Sequence, residues 1–206
     1  MEHFFNISEI NETMRSILVD WLICVCSKFK CTEHTLHLTI TLIDKYCIAK
    51  PQSVFKKNYQ LIGVVCFYIA TKIEEVYSPH VKSLVYVCNG AFTAENVLEY
   101  EKIILKSLDY NVMQNHLMSV RNSYDNSLVY NSFDDKTTYY LNLILLSCEI
   151  LYEYDTDDII ESCLELSKQS GQYWSECMSM IKKFENYNKS FLEVKKKFGL
   201  RVAGIF

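Results

Sequence analysis

Residues 14–22 are the most informative stretch of the sequence: Met14-Arg15-Ser16-Ile17-Leu18-Val19-Asp20-Trp21-Leu22. Apolar side chains recur in it at helical spacing, although an arginine lies within its most hydrophobic part. Just upstream, Asn11 is a suitable N-cap, and Glu12 suits the positive first turn of a helix. We therefore predict a helix from Asn11 to about Phe29.

Four more helices are expected before residue 110. The first of them begins near Thr32 and ends before Pro51. The other three span Tyr59–Glu75, Ser78–Val87 and Thr93–Leu108. The Tyr59–Glu75 segment is apolar on every side through its middle, a pattern typical of a central, enclosed helix. Five helices thus fit into about a hundred residues.

The second half of the sequence repeats this rhythm less clearly. Its predicted helices lie near His116–Leu128, Asp134–Tyr152, Asp157–Lys168, Tyr173–Phe184 and Asn188–Phe198. Residues 138–145 echo residues 35–42, which suggests an internal duplication with a boundary near 111–115. We predict an all-α protein of two consecutive five-helix units, 1–112 and 113–206, the second divergent.

Composition excludes several classes of protein. The 206 residues include only five Gly and two Pro, too few for the turns of a many-stranded β fold. Hydrophobic residues make up 50% of the chain, so disorder is not expected, and a net charge of -4 argues against a nucleic-acid partner. No signal peptide or membrane-length apolar stretch occurs, so the nine cysteines are interpreted as reduced thiols. We expect an intracellular protein of the nucleus or cytoplasm, with no membrane partner.

The sequence carries no recognisable catalytic or cofactor-binding motif. The sequence has no Gly-rich phosphate loop, no His-Glu-x-x-His and no Gly-x-Ser-x-Gly. The nearest approach to a metal site combines Cys24, Cys26, Cys31, His34 and His37. On a helix, Cys24 and Cys26 point in diverging directions, so they cannot face one ion. The adjacent acids Glu74 and Glu75 diverge in the same way. We expect neither an enzyme nor a cofactor.

Four charged residues occupy positions where the pattern favours apolar ones. Arg15 lies in the apolar part of the first helix, and Asp44 closes the apolar face of the second. Because arginine binds a carboxylate through two parallel hydrogen bonds, we predict that these two pair between helices. Lys72 and Glu101 are predicted to be exposed, lone charges, close in space and dispensable for folding. The alternative for each is a solvated charge at a helix end.

Together these segments resemble the cyclin box of A- and B-type cyclins over about Ile10–Val112. The matching segments are residues 14–22, 35–38, 43–46, 70–79, 97–101 and 105–108. The five near-invariant positions of the family match Arg15, Asp44, Leu61, Lys72 and Glu101. Later in the chain the resemblance is weak, although Tyr140-Leu141 and Trp174 fall where a second cyclin-type fold would have them.

The resemblance implies a non-catalytic regulatory subunit. Cyclins bind a cyclin-dependent Ser/Thr protein kinase and reposition its αC helix and activation segment. The residues implied to bind the kinase are Lys72, Ile73, Glu101, Leu105, Tyr110 and Val112. A substrate-docking patch for Arg-x-Leu substrates or inhibitors is implied at Met14, Ile17, Leu18, Asp20, Trp21, Tyr59 and Gln60. Two positions depart from the family pattern: Ile73 replaces a phenylalanine, and Cys24 replaces an acidic residue that would contact the docking arginine.

The sequence leaves one alternative open. A cyclin-fold binding module or decoy would sequester a kinase or inhibitor without activating a kinase. Lys72 and Glu101 argue against a chain that binds no kinase, but they do not separate an activator from a decoy. Only thirteen residues precede Met14, and the basic residues are mostly lysine, the bias of an AT-rich genome. We therefore expect a minimal cyclin of viral or reduced-genome origin.

Overall fold

The computed structural model describes residues 2–119, 135–168 and 176–187. Every regular element in these ranges is helical, as predicted, and no strand occurs among them. The chain divides into two compact units, Met1–His116 and Leu117–Phe206. No helix in the described ranges is both long and apolar enough to cross a bilayer.

The first unit contains all five helices expected from its sequence and two short elements that were not. In chain order the elements are α1 (Glu2–Ile7), α2 (Glu12–Phe29), α3 (Glu33–Ala49), a 3-10 turn (Pro51–Ser53), α4 (Lys56–Glu74), α5 (Val81–Val87) and α6 (Ala94–Ser107). The two unexpected elements are α1, a helix of only six residues, and the 3-10 turn.

Polar side chains set the ends of these helices. The predicted cap Asn11 accepts a hydrogen bond from the Met14 backbone N–H at 2.9 Å, and Thr93 caps α6 in the same way. Helix α4 starts three residues earlier than predicted because the Asn58 side chain accepts from the Phe55 N–H at 2.8 Å. Helix α5 starts later than predicted, after His80, whose ring accepts from the Lys82 N–H.

Helix α4 is the central helix of the first unit, as its apolar sequence predicts. All but one of the residues from Leu61 to Thr71 are buried, and α3 packs along it. Helix α2 also approaches closely at Gly63, where a Cβ atom would lie 2.9 Å from a methyl carbon of Leu18. This packing brings the start of α4 beside α2 and its end beside α6.

The second unit contains α7 (Asp135–Ile144), α8 (Cys148–Glu153), α9 (Thr156–Lys168) and α10 (Glu176–Tyr187) among its described residues. A single helix over Asp134–Tyr152 is wrong: a turn follows Ile144, and the Ser147 hydroxyl accepts from the Ile150 N–H to begin α8. The predicted helix at Asn188–Phe198, most of His116–Leu128, and Trp174 lie outside the described residues.

Candidate functional site

Arg15 and Asp44 form a buried ion pair between α2 and α3. The Arg15 Nε donates to Asp44 Oδ1 at 2.8 Å, and its Nη2 donates to Oδ2 at 2.6 Å. Both residues are fully buried. The two parallel bonds satisfy the carboxylate in a way that lysine could not. The structure therefore brings together the two charges that the sequence analysis paired, and their role is to join helices.

Lys72 and Glu101 also lie together, where the end of α4 meets α6. The Lys72 Nζ lies 2.5 Å from Glu101 Oε1 and 3.8 Å from the centre of the Tyr68 ring. Of the Lys72 side chain 40% is exposed, against 13% for Glu101. The two charges are close in space and Lys72 is exposed, as predicted. The expectation that both are lone charges is wrong, because they pair with each other, and Glu101 is only partly exposed.

Apolar residues lie close to this pair in the sequence, and many of them are accessible. Ile73 follows the lysine and Leu105 lies one turn after the glutamate; both are partly buried, as is Val112. Tyr110 is 65% exposed. We call these four residues, with Lys72 and Glu101, the Lys72–Glu101 face. Sequence reasoning missed further exposed apolar side chains along the same segments: Val76, Tyr77, Leu98 and Met113. Each of them could have been recognised in the sequence as an apolar residue that lies in a turn or on the polar face of a helix.

The turn after α6 holds Tyr110 in an unusual conformation. Asp109 and Tyr110 both have left-handed backbones, with φ of 50° and 58°. The Tyr110 N–H donates to the Leu105 carbonyl at 2.8 Å, which ties the turn to the last turn of the helix. Left-handed residues other than glycine cost free energy and concentrate at functional sites. The fold thus maintains a strained turn that presents an aromatic side chain to solvent.

A second site is an apolar groove between α2 and the start of α4. Its volume is about 450 Å³, and it is lined by Ile10, Met14, Ile17, Leu18, Trp21, Lys56, Tyr59 and Gln60. Six of the seven residues expected in the docking patch line this groove. Sequence reasoning missed Ile10, which lies just before α2, and Lys56, the first residue of α4.

The groove is not lined by the acidic residue that the sequence analysis expected there. Asp20 does not line it, and one of its carboxylate oxygens, Oδ1, is buried. Cys24, which replaces the acidic residue that the resemblance would imply, is exposed. Lys56 is the one charged residue among those that line the groove. The groove therefore offers mainly apolar contact.

Glu75 forms a hydrogen-bond network that the sequence did not reveal. Its Oε1 accepts from the Thr32 N–H at 2.6 Å, the Thr32 hydroxyl at 3.1 Å and the Thr35 hydroxyl at 2.5 Å. Burial raises the pKa of Glu75, but these hydrogen bonds outweigh it and leave the pKa below its usual value. The carboxylate thereby ties the C-terminus of α4 to the N-terminus of α3.

Three histidines of the first unit lie near one another. The His116 ring centre lies 5.5 Å from that of His34 and 6.3 Å from that of His37, and its Nε2 is 3.9 Å from a Glu74 oxygen. Burial, with a smaller contribution from His34, lowers the pKa of His116 to about 4. Within residues 2–119, 135–168 and 176–187, no three donor side chains are arranged to hold a metal ion.

Comparisons with known proteins assign the first unit to a family. A family model described as "Cyclin, N-terminal domain" matches residues 1–113. A G2/mitotic-specific cyclin-B2 from Anguilla japonica is 33% identical over 191 residues, covering 90% of this chain and 46% of that protein. A G2/mitotic-specific cyclin-A from Hydra viridissima is 31% identical over 165 residues, covering 76% of this chain and 38% of that protein. The chain therefore spans less than half the length of these relatives.

A solved structure supports the same assignment at the level of the fold. The X-ray structure of a viral cyclin from herpesvirus saimiri matches with a TM-score of 0.70 at 19% sequence identity. The match covers 97% of this chain and 90% of the viral cyclin. Since the family model covers more than half of the sequence and the fold agrees with it, this chain belongs to the cyclin family.

Proposed function

We propose that this chain is the regulatory subunit of a cyclin-dependent Ser/Thr protein kinase and activates it by repositioning the kinase αC helix and activation segment. The chain itself contributes no catalytic group. The observation that carries the proposal is the Lys72–Glu101 face, in which a partly exposed ion pair lies on the same elements as accessible apolar side chains. Kinase activity depends on the position of the αC helix and on the ordering of the activation segment. A helical surface that binds the kinase at αC can therefore regulate it.

The chemistry of this face fits a backbone-binding role. Lys72 has an ammonium group that donates hydrogen bonds, and Glu101 has a carboxylate that accepts them. On binding, each side chain would lose part of its interaction with the other and form a hydrogen bond to a main-chain group of the kinase. Ionised groups make strong, directional bonds, while Ile73, Leu105 and Tyr110 would supply apolar area. With isoleucine at position 73, the aromatic contact on this face comes from Tyr110.

We further propose that the groove between α2 and α4 docks substrates or inhibitors of the Arg-x-Leu type. Its volume of about 450 Å³ and its apolar lining suit the leucine and a second apolar anchor. Asp20, which lies outside the groove lining, would receive the arginine. Because one Asp20 oxygen is buried and Cys24 carries no charge, the apolar anchors would supply most of the affinity.

The proposal also includes the fold of the second half of the chain and the place where the protein works. Residues 113–206 would form the second, divergent cyclin-type fold, since their described helices form one compact unit with its own core. The protein would work where its kinase works, in the nucleus or cytoplasm.

The test is reconstitution with a kinase. The purified chain is mixed with individual cyclin-dependent kinases; binding is measured by co-purification and activity by phosphorylation of histone. We expect stable binding and a rise in activity with at least one kinase. Binding without a rise in activity would identify a decoy instead of an activator. No binding to any kinase would reject both.

A further inference from the structure

The junction between α2 and α3 brings two cysteines together. At Lys30 the backbone turns left-handed, with φ of 56°, and its N–H donates to the Ser27 carbonyl at 3.1 Å. The next N–H, of Cys31, donates back to the Cys26 carbonyl at 3.0 Å. These two bonds define a Schellman motif, which places the side chains of its first and last residues against each other. That contact is usually apolar, but here both residues are cysteines.

The two thiols lie near each other. The sulfur of Cys26 lies within hydrogen-bonding reach of the sulfur of Cys31. A backbone N···O separation of 3.0 Å also keeps the two Cα atoms within about 7 Å of each other. Disulfides join Cα atoms about 4.4–6.8 Å apart, so the pair needs little backbone movement to close.

The surroundings distinguish the two sulfurs. Cys31 is partly exposed and Cys26 is fully buried. The hydrogen bond from Cys26 lowers the pKa of the Cys31 thiol, outweighing its burial and the nearby Glu75 carboxylate, both of which raise it. By contrast, burial raises the pKa of Cys66 and of Cys88, the latter to about 11. Accessibility and a lowered pKa both favour reactivity in a cysteine, and Cys31 is partly exposed with a lowered pKa.

We propose that Cys26 and Cys31 form a redox-active dithiol that closes to an intramolecular disulfide when the protein meets hydrogen peroxide. The Cys31 thiolate attacks one peroxide oxygen and the O–O bond breaks, which makes Cys31 a sulfenic acid. The departing hydroxide takes up the proton that the Cys31 thiol lost and leaves as water. The Cys26 sulfur then attacks the Cys31 sulfur, the S–O bond breaks, and a second water leaves. Two thiols lose two electrons in total, and hydrogen peroxide is reduced to two waters.

This site is independent of the kinase and docking roles proposed above. It lies where α2 ends and α3 begins, and the Thr32 carbonyl, 3.6 Å from the Cys26 Sγ, is the alternative acceptor for the single proton of that thiol. Proteins of reducing compartments rarely hold permanent disulfides, and those they form are usually sensors or catalysts. The pair is therefore assigned a sensing role.

The test uses the full chain, hydrogen peroxide and peptide mapping. After oxidation, free thiols are blocked with an alkylating agent and the protein is digested with trypsin. Cleavage after Lys28 and Lys30 separates the two cysteines, so the disulfide joins peptides 16–28 and 31–45. We expect this linked species in wild type, its loss on reduction with dithiothreitol, and its absence in Cys31→Ser.

Cys24→Ser is the matched control, because Cys24 is exposed and lies on the same tryptic peptide as Cys26. The linked species should form in this variant to the wild-type extent. In Cys26→Ala, Cys31 should accumulate sulfinic and sulfonic acid, since no resolving thiol remains. Linkage through Cys24, linkage only between chains, or oxidation of wild-type Cys31 without any linkage would each overturn the proposal. The wild-type map decides the question even if Cys26→Ala fails to fold.

Discussion

Among single residues, the Arg15–Asp44 pair governs stability. Replacing Asp44 with alanine leaves a guanidinium buried without its carboxylate, and breaking a buried pair in this way costs roughly 3–5 kcal/mol. Urea denaturation should show that loss for Asp44→Ala. Glu99→Ala removes an exposed acid from α6 and should change the free energy of unfolding by no more than about 0.5 kcal/mol. Equal stability of the two variants would mean that the buried pair contributes nothing.

Lys72 and Glu101 should behave in the opposite way. Because the lysine is 40% exposed, their ion pair contributes at most about 1 kcal/mol to folding. Removing charged groups at a buried interface costs about 2–5 kcal/mol of binding. The double variant Lys72→Ala/Glu101→Ala should therefore melt close to wild type while kinase affinity and activation collapse, as measured by circular dichroism and by titration with the kinase.

The matched control for that variant is Glu99→Ala/Lys102→Ala, which removes one charge of each sign from exposed positions on α6. It should keep wild-type kinase binding. If the Lys72/Glu101 variant still activates a kinase fully, the kinase contacts another surface. If it unfolds instead, the two charges are structural.

At the scale of helices, the hydrogen bonds by which Glu75 joins α4 to α3 depend on pH. Its pKa is lower in the folded chain than the ordinary value of 4.5, so its contribution to stability is present above that value. As the pH falls through the lower folded pKa, the carboxylate is protonated and the contribution is lost. Urea denaturation of wild type and Glu75→Ala should show a clear stability difference at pH 7 that shrinks towards pH 3. A difference independent of pH would show that the lost charge is not responsible.

Local patterns in the sequence predicted most helices but not their relative placement. Spacing and caps located α2 and α6 closely, because Asn11 and Thr93 satisfy free N–H groups within the next turn. The division of residues 134–152 was missed because that segment keeps an apolar pattern through the turn, and only Ser147 marks the new start.

Contacts across helices were harder to predict. The buried Arg15–Asp44 pair could be inferred because an arginine on an apolar face requires a partner. The closeness of Lys72 and Glu101 was also predicted, but the bond between them was not, because both were expected to be lone charges. Glu75 was missed because its partners, Thr32 and Thr35, lie some forty residues earlier in the chain.

For the molecule as a whole, the proposed groove and the Lys72–Glu101 face are lined by separate residues of the first unit, so their functions should be separable. Ile17 is suited to test this, because it lines the groove yet is 59% exposed, and its truncation should scarcely affect folding. In Ile17→Ala the active kinase complex should show a raised KM for a substrate with an Arg-x-Leu motif. Losing about 1–2 kcal/mol of apolar contact corresponds to roughly a 5–30-fold rise.

A motif-free peptide substrate provides the internal comparison for that variant. The Ile17→Ala complex should phosphorylate it with wild-type kcat/KM, because kinase activation depends on the other face. Steady-state kinetics on the two substrates measures both effects in one preparation. Parallel losses on both substrates would mean that the groove residue acts through kinase activation itself. No loss on either would mean that the apolar groove does not dock substrates, which would leave the kinase-binding proposal intact and remove the docking one.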